Sequence, residues 1–146
     1  MAYSYRELLA RLIQCEAGGE GETGMKAVAN IVMNRVHVPN GEYQRLNQGN
    51  LRNVVFQPGQ FDCARETIGG IYNPQNIYNM NPTQVHYDIA DWALDGNKLP
   101  NLGTALWYFN PFSAQCPQNF PSRVGVLATR IEQHCFYNPT SYYAET

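Results

Sequence analysis

The spacing of apolar residues predicts an amphipathic helix at the beginning of the chain. Ser4 and Glu7 have the spacing of a capping box, and the apolar residues after them recur every three or four positions, which is the period of one helix face. The pair Gly18-Gly19 is expected to end this helix. The inward stripe consists of Leu9, Leu12, Ile13 and Glu16. A carboxylate is therefore predicted on the buried face of the last helical turn.

Two further helices are predicted by the same periodicity. Thr23 is placed to cap a second helix, which is expected to end at the turn Pro39-Asn40-Gly41. Its apolar stripe consists of Met25, Val28, Ala29, Val32 and Val36. A third helix is expected to open with Pro82 at its first position and to end at Gly96. Its predicted buried face consists of Val85, Ile89 and Trp92.

The remaining segments are predicted to form loops and a small sheet. Residues 40–53 are polar and indicate a loop, and residues 54–56 indicate a short turn or hairpin. Residues 62–81 contain Gly and Pro breakers and indicate another loop. Residues 105–109 and 130–137 are rich in strand-forming side chains, and we expect these two segments to pair antiparallel.

This pattern predicts an α+β fold, mainly α, with a small antiparallel sheet in one domain over residues 1–146. The 146 residues are 44% hydrophobic and 15% charged, which is typical of a globular domain. The formal net charge is -2 and the ten Lys and Arg residues are scattered, so no basic patch indicates nucleic acid as a partner. Charged residues interrupt the first helix and no long apolar span follows, so we expect no signal peptide and no membrane insertion.

The four cysteines do not indicate a metal site, because they lack the paired C-x-x-C spacing of structural zinc sites. They are Cys15, Cys63, Cys116 and Cys135. Cys116 and Cys135 flank a loop and could form a disulfide in an oxidising compartment, whereas free buried thiols are the expectation for a cytosolic protein. His134 beside Cys135 is expected to be a structural histidine rather than a zinc ligand. No metal and no cofactor is predicted.

The position of Glu16 suits a general acid. Burial disfavours an ionised carboxylate, and the partial negative charge at a helix C-terminus acts in the same direction, so we expect the pKa of Glu16 to lie above that of an exposed glutamate. A carboxyl group that keeps its proton near neutral pH can protonate a leaving oxygen. Glu20 and Glu22 follow in a glycine-rich stretch that would let a ligand approach the backbone closely. The competing interpretation is a structural ion pair, which also buries carboxylates.

Tyrosine and amide side chains favour a carbohydrate ligand. The chain contains ten Tyr, and some lie among Asn and Gln, as in residues 71–79. Aromatic rings pack on the apolar faces of sugars, and amides hydrogen-bond to hydroxyl and N-acetyl groups. A Tyr-rich core beside an Asn-rich loop would give the same composition, so composition alone leaves both interpretations open.

Several segments that occur in a fixed order carry a family resemblance. They are Cys15-Glu16-Ala17-Gly18-Gly19-Glu20-Gly21, residues 29–36, residues 55–61, residues 105–111 and residues 134–137. Together these segments resemble the SleB/CwlJ family of cell-wall hydrolases, the spore cortex-lytic enzymes, over nearly the whole chain. Because Cys116-Pro117 and residues 134–140 also match, the closer likeness is to the CwlJ branch.

The resemblance implies a lysozyme-like domain, similar to goose-type lysozymes and resuscitation-promoting factors, that acts on peptidoglycan glycan strands at the coat or cortex boundary of a spore. Glu16 matches the family's catalytic glutamate, which in a lytic transglycosylase protonates the glycosidic oxygen and then takes the proton of the muramic 6-hydroxyl. Contacts with the glycan are predicted for Glu20, Thr23, Phe61, Tyr108, Asn110 and His134. Helix capping is the alternative role of Thr23, and Tyr108, Asn110 and Phe61 could equally be core or turn residues. Trp107 is expected on the opposite face of its strand from Tyr108.

Other functions stay open at this stage. A plain glycoside hydrolase would need a second carboxylate, for which the candidates are Glu20, Glu22 and Asp62. An amidase that cuts the muramoyl–peptide bond would need a nucleophile, and Cys15 with His134 is the pair to test. A peptidoglycan-binding coat module would keep the groove without turnover. The resemblance also leaves open a spore-coat tethering protein and control by calcium dipicolinate.

Overall fold

The computed structural model describes residues 2–146, which fold into helices packed beside a small sheet. The α-helices are α1 Tyr5–Ala17, α2 Gly21–His37, α3 Gly41–Asn47, α4 Leu51–Phe56 and α5 Gln84–Leu94. The strands are β1 Thr67–Ile68, β2 Ile71–Tyr72, β3 Trp107–Phe109, β4 Gly125–Ile131 and β5 His134–Pro139. No helix within these residues is long and apolar enough to cross a membrane.

Helix α1 forms as the sequence predicts, although only half of its capping box is made. The Ser4 hydroxyl accepts a hydrogen bond from the N–H of Glu7 at 3.1 Å. The Glu7 carboxylate does not return to the cap, because it pairs with Arg11 at 2.8 Å one turn later. The apolar stripe is fully buried: Leu8, Leu9, Leu12 and Ile13 are each 0% exposed. The core therefore fixes the face on which Glu16 lies.

Helix α2 is the central element and packs against α1, α3, α4 and α5. The prediction that Thr23 caps this helix is wrong. The helix already begins at Gly21 and its N-cap is Glu20, which makes no capping hydrogen bond through its side chain. Thr23 is an exposed residue of the first turn. Gly21 has a φ of +76°, a conformation that glycine adopts readily, and the chain turns there directly from α1 into α2.

The predicted loop at residues 40–53 and the predicted hairpin at residues 54–56 are helices instead. Leu51, Val54 and Val55 are buried at positions i, i+3 and i+4 of α4, which is a helical period within a segment too short to stand out. In α3, the buried side chains are those of Tyr43 and Asn47. Tertiary packing against α2 therefore decides the structure of a segment whose polar composition favours a loop.

Helix α5 confirms the predicted third helix, with two shifts. It starts at Gln84, after a capping box between Thr83 and His86, so Pro82 lies before the helix rather than at its first position. Val85 is 39% exposed, contrary to the prediction. The buried positions are His86, Ile89, Ala90 and Ala93.

Strands β3, β5 and β4 form an antiparallel sheet in that order. The predicted pairing is confirmed, since Phe109 lies opposite Cys135. The prediction of a single strand at residues 130–137 is wrong. Residues 125–139 form two strands, β4 and β5, joined by a turn in which Glu132 has a φ of +52°. The region at residues 62–81 is mostly loop as predicted but also contains the hairpin of β1 and β2.

The two faces of the sheet pack against different parts of the helical body. Trp107 points to the face of the sheet that packs against α3 and the C-terminal residues, where its ring centroid lies 5.5 Å from that of Tyr143. Phe136 packs against Ala27 and Ile31 of α2. Tyr108 follows Trp107 in β3 and so points to the other face, as predicted. The sheet therefore stands beside α2 and directs Tyr108 towards the end of α1.

All four cysteines form disulfides, Cys15 with Cys63 and Cys116 with Cys135. The expectation of free buried thiols is therefore wrong, and within the described chain no cysteine is free. The possible bridge between Cys116 and Cys135 is present. The bridge between Cys15 and Cys63 joins residues 48 positions apart, on two elements whose contact no local pattern reveals.

Candidate active site

The Glu16 carboxyl lies where α1, the segment after α4 and strand β3 meet. Its Oε1 atom accepts a hydrogen bond from the Tyr108 hydroxyl at 3.4 Å, and its Oε2 atom lies 3.5 Å from the sulfur of Cys63. Because Cys63 is in a disulfide, this sulfur carries no proton, so the second contact is packing rather than a hydrogen bond. The side chain is half-buried, and the prediction that it faces inward is confirmed.

Burial raises the pKa of Glu16 from its ordinary 4.5 to about 7. The hydrogen bond from Tyr108 lowers this pKa in part, the negative charges of Asp62 and Glu20 raise it, and the positive charge of Arg35 lowers it. Loss of hydration is the largest of these effects. At neutral pH the side chain therefore exists both as the acid and as the carboxylate, so it can give or take a proton.

Tyr108 is fixed as a neutral hydrogen-bond donor. Burial and the nearby negative charge of Glu16 raise the pKa of Tyr108 well above its ordinary value, so the phenol keeps its proton at neutral pH. Its ring stacks on Phe136, with 5.7 Å between the ring centroids. It also meets the imidazole of His134 edge-on at 5.4 Å. Neighbouring β5 therefore sets the orientation of the hydroxyl.

Glu20 and His134 form a hydrogen-bonded pair next to this centre. Oε1 of Glu20 lies 2.6 Å from Nδ1 of His134, and each side chain is 19% exposed. The first residue comes from the turn between α1 and α2, and the second opens β5. Two of the residues predicted to contact the glycan thus lie together beside Tyr108, on elements far apart in the chain.

The other three predicted contact residues fit that role less well. Phe61 is only 3% exposed and packs beneath Arg35, so the structure contradicts a stacking role for its ring on a sugar. The Asn110 side chain accepts a hydrogen bond from the N–H of Phe112 at 2.8 Å, which closes a turn and leaves its amide nitrogen available. Thr23 is exposed on the first turn of α2.

The carboxylates proposed as hydrolase partners have other surroundings. The Asp62 side chain is 77% exposed and lies 3.9 Å from Arg65. Glu22 is 65% exposed and pairs with Lys26 along α2. Glu20 is held by His134, as described above. Asp62 and Glu22 therefore lie largely in solvent, and the Glu20 carboxylate is already paired with the imidazole of His134.

Two features of the site were missed from sequence. The disulfide sulfur of Cys63 packs beside one oxygen of the Glu16 carboxyl, and only a contact between distant segments reveals it. Arg35 lies in α2 and is 5% exposed. An arginine between apolar positions of a buried helix is a signal that sequence inspection could have used.

A wide surface concavity of about 780 Å³ lies elsewhere, between α3 and residues 144–146. It contains none of the residues that contact Glu16. Within residues 2–146, no three His, Cys, Asp or Glu side chains are grouped so that they could hold a metal ion. Chemistry rather than cavity size therefore places the candidate active site at the end of α1.

The raised pKa of Glu16 predicts a pH dependence of stability. The folded state binds this proton more tightly than the unfolded state, so the stabilisation is complete below pH 4.5 and is lost as the pH rises through about 7. The full effect is at most about 3 kcal/mol and is reduced by the partial exposure of the side chain. Urea unfolding of the unaltered protein and of Glu16→Gln at several pH values should show this decline only in the unaltered protein. If the free energy of unfolding changed with pH in the same way in both proteins, the raised pKa of Glu16 would be contradicted.

Comparison with known sequences finds relatives over most of the chain. A sequence model of the family described as Cell Wall Hydrolase matches residues 19–137. Cell wall hydrolase CwlJ of Bacillus subtilis is 30% identical over 95% of this chain and 88% of its own length. The spore cortex-lytic enzyme of the same organism is 30% identical over 75% of this chain, but over only 30% of its own length. Because the family match begins after Glu16, the role of that residue rests on the site itself.

Two solved structures share the fold. The catalytic domain of the germination-specific lytic transglycosylase SleB from Bacillus anthracis superposes with a TM-score of 0.64, at 26% identity over 94% of this chain and 98% of that one. The catalytic domain of the Bacillus cereus SleB protein gives a TM-score of 0.65, also at 26% identity, over 94% and 93% of the two chains. These likenesses confirm the predicted lysozyme-like α+β fold.

Proposed function

Because the chain belongs to the SleB/CwlJ family of cell wall hydrolases and is a peptidoglycan-degrading enzyme, we propose that it cleaves the glycan strands of spore-cortex peptidoglycan as a lytic transglycosylase. The observation that carries this proposal is the Glu16 carboxyl, which has a pKa of about 7 and lies between a phenol donor and a disulfide sulfur. One such group can act first as an acid and then as a base.

In the first step, the protonated Glu16 gives its proton to the oxygen that joins a muramic residue to the next sugar. The bond between this oxygen and the muramic C1 breaks, and the next sugar leaves with a free hydroxyl. Positive charge develops at C1 and on the ring oxygen. The carboxylate that remains lies close to this charge and stabilises it.

In the second step, the 6-hydroxyl of the same muramic residue attacks C1, and the Glu16 carboxylate takes the hydroxyl proton. The product is a 1,6-anhydro-muramic end, and the acid is restored. No water is consumed and no second carboxylate is needed. A mechanism that needs only one carboxyl group is consistent with a site in which Glu20 is paired with His134 and Asp62 lies largely in solvent.

Neighbouring groups support this chemistry. The Tyr108 hydroxyl donates to Oε1, which leaves Oε2 as the oxygen to carry the transferred proton. The pair of Glu20 and His134 forms one wall beside the tyrosine ring, where a carboxylate and an imidazole can bind sugar hydroxyls. Asn110 still has a free amide nitrogen that can bind an acetamido oxygen.

No observation favours a thiol amidase. Cys15, the nucleophile that such an enzyme would use, is bonded to Cys63. A disulfide sulfur cannot supply the thiolate that attacks a carbonyl carbon. His134 has its Nδ1 atom on Glu20 rather than near a thiol.

Mass spectrometry of the products released from purified cortex fragments tests the proposal. Anhydro-muramic ends are expected, because the intramolecular hydroxyl replaces water as the attacking group. Reducing ends would instead indicate a hydrolase, and free stem peptides would indicate an amidase. Absence of any product, together with binding to the insoluble fragments, would favour a peptidoglycan-binding coat module.

We also propose the spore cortex as the place of action, since relatives are named for germination and for cortex lysis. A coat protein that tethers the enzyme is an inference from the family resemblance. Co-purification with coat fractions of the source spores would support it, and recovery of the enzyme without any coat protein would contradict it.

A further inference from the structure

Arg35 is a buried cation without an acidic partner. It forms no ion pair with any carboxylate among residues 2–146. Its Nε donates to the carbonyl oxygen of Leu106 at 2.8 Å, and its Nη1 is buried without a hydrogen-bond partner. The ring centres of Tyr43 and Phe61 lie 4.9 and 5.1 Å from the guanidinium carbon.

This arrangement is expensive for a residue that serves packing alone. A buried charge loses its hydration, and proteins normally compensate for the loss with an opposite charge and a full set of hydrogen bonds. Here one carbonyl oxygen and two aromatic faces give partial compensation. An apolar side chain of similar size would occupy the space without this cost. The placement of Arg35 therefore indicates that its positive charge has a role beyond packing.

Arg35 contacts both segments that bring groups to the catalytic carboxyl. Leu106 stands two residues before Tyr108, whose hydroxyl binds one carboxyl oxygen. Phe61 stands two residues before Cys63, whose sulfur lies against the other oxygen. A single side chain of α2 therefore fixes β3 and the segment after α4 relative to each other.

The charges around Glu16 are otherwise unfavourable to a carboxylate. The titratable groups that surround it are Asp62 after α4, Glu20 before α2, His134 in β5, Tyr108 in β3 and Arg35 in α2. The two acidic groups raise the pKa of Glu16, and the histidine is bonded to one of them. Among the groups that shift this pKa, Arg35 is the cation, and it lowers the value.

We propose that Arg35 is a positioning residue for proton transfer: it aligns the two segments that contact Glu16, and its charge stabilises the carboxylate that exists between the two steps. This inference rests on the proposed role of Glu16 as acid and then base. Burial keeps the acid able to hold its proton, and the cation keeps the conjugate base accessible in surroundings where water screens charges poorly. Together, burial and the charge of Arg35 keep the pKa of Glu16 near neutral pH.

Nuclear magnetic resonance of the unaltered protein tests the charge coupling without a change at Arg35. The side-chain nitrogen resonances of Arg35 are expected to move as the pH passes through the pKa of Glu16, about 7. The carboxyl carbon of Glu16 should show the same midpoint. In Glu16→Gln this step of the arginine resonances should disappear. Arginine resonances that do not follow Glu16 would overturn the proposal.

Substitution provides the second test. In Arg35→Met, the titration midpoint of Glu16 is expected to rise by about one pH unit, whereas Arg35→Lys should keep it near the original value. The matched control is Arg52→Met, since Arg52 also binds a carbonyl oxygen, that of Tyr3 at 2.7 Å, but does not act on the pKa of Glu16. The midpoint should stay unchanged in this control.

In each variant, the pH at which activity falls on the alkaline side should shift by the same amount as the titration midpoint of Glu16. A uniform loss of activity in Arg35→Met with an unmoved midpoint would mean a merely structural role and would overturn the proposal. If Arg35→Met does not fold, the measurement on the unaltered protein decides. The resonances report on Arg35 even when no glycan is cut, so a failure of the proposed function is distinguishable from a failure of this inference.

Discussion

Glu16→Gln is expected to fold like the unaltered enzyme and to release muropeptides from cortex peptidoglycan roughly 10² to 10⁴ times more slowly. Glutamine keeps the shape of the side chain and can still accept the hydrogen bond from Tyr108. It has no proton to give to the glycosidic oxygen and forms no carboxylate to take one back. Chromatography of soluble muropeptides over time measures the rate, and a melting curve verifies the fold.

The matched control is Glu22→Gln, which removes a carboxylate six positions further along the chain. This side chain is 65% exposed and pairs only with Lys26, so the variant should digest cortex like the unaltered enzyme. Glu16→Gln should also still bind insoluble peptidoglycan, because it keeps the remaining contact residues. Digestion by Glu16→Gln at the unaltered rate would show that another group is the acid.

Replacing both Cys15 and Cys63 by alanine is expected to lower the stability of the protein and the pKa of Glu16. The bridge closes a loop of 48 positions, so its loss should reduce the free energy of unfolding by about 4 kcal/mol. The sulfur beside Oε2 is lost as well, which admits water to the carboxyl. The pKa of Glu16 should therefore fall towards its ordinary value, and activity at neutral pH should decline. Urea unfolding and the carboxyl titration measure the two effects separately.

The second disulfide offers an internal control for this experiment. The bond between Cys116 and Cys135 closes 19 positions, and its removal should cost about 3 kcal/mol of stability. Neither cysteine contacts Glu16, so the titration midpoint of the acid should stay in place. An equal midpoint in both double variants would show that the first disulfide acts through stability alone.

The burial of Glu16 could be predicted from the sequence because its position obeys a strong local rule. A carboxylate on the apolar stripe of a well-capped helix is buried whatever packs against it, and the predicted rise in the pKa of Glu16 follows. The antiparallel pairing of residues 105–109 with residues 130–137 was also accessible, since both segments are rich in strand formers. The closing role of Gly96 after α5 was predictable for the same local reason.

The remaining details depend on contacts between distant segments, which periodicity does not encode. Phe61 has a typical groove-lining side chain, yet it is buried in the core with its ring against the guanidinium of Arg35. The helices at residues 41–47 and 51–56 are short, and packing rather than amphipathic pattern stabilises them. The bridge between Cys15 and Cys63 depends on how the chain returns to α1.

The order of the segments along the chain has a consequence for biosynthesis. Glu16 leaves the ribosome early, whereas Tyr108 and His134 belong to the last third of the polypeptide. A nascent chain that ends after α5 therefore has Glu16 without its phenol partner, and it lacks the β5 residue Phe136, which packs against Ile31. The contacts that surround Glu16 are therefore complete only when translation is nearly finished.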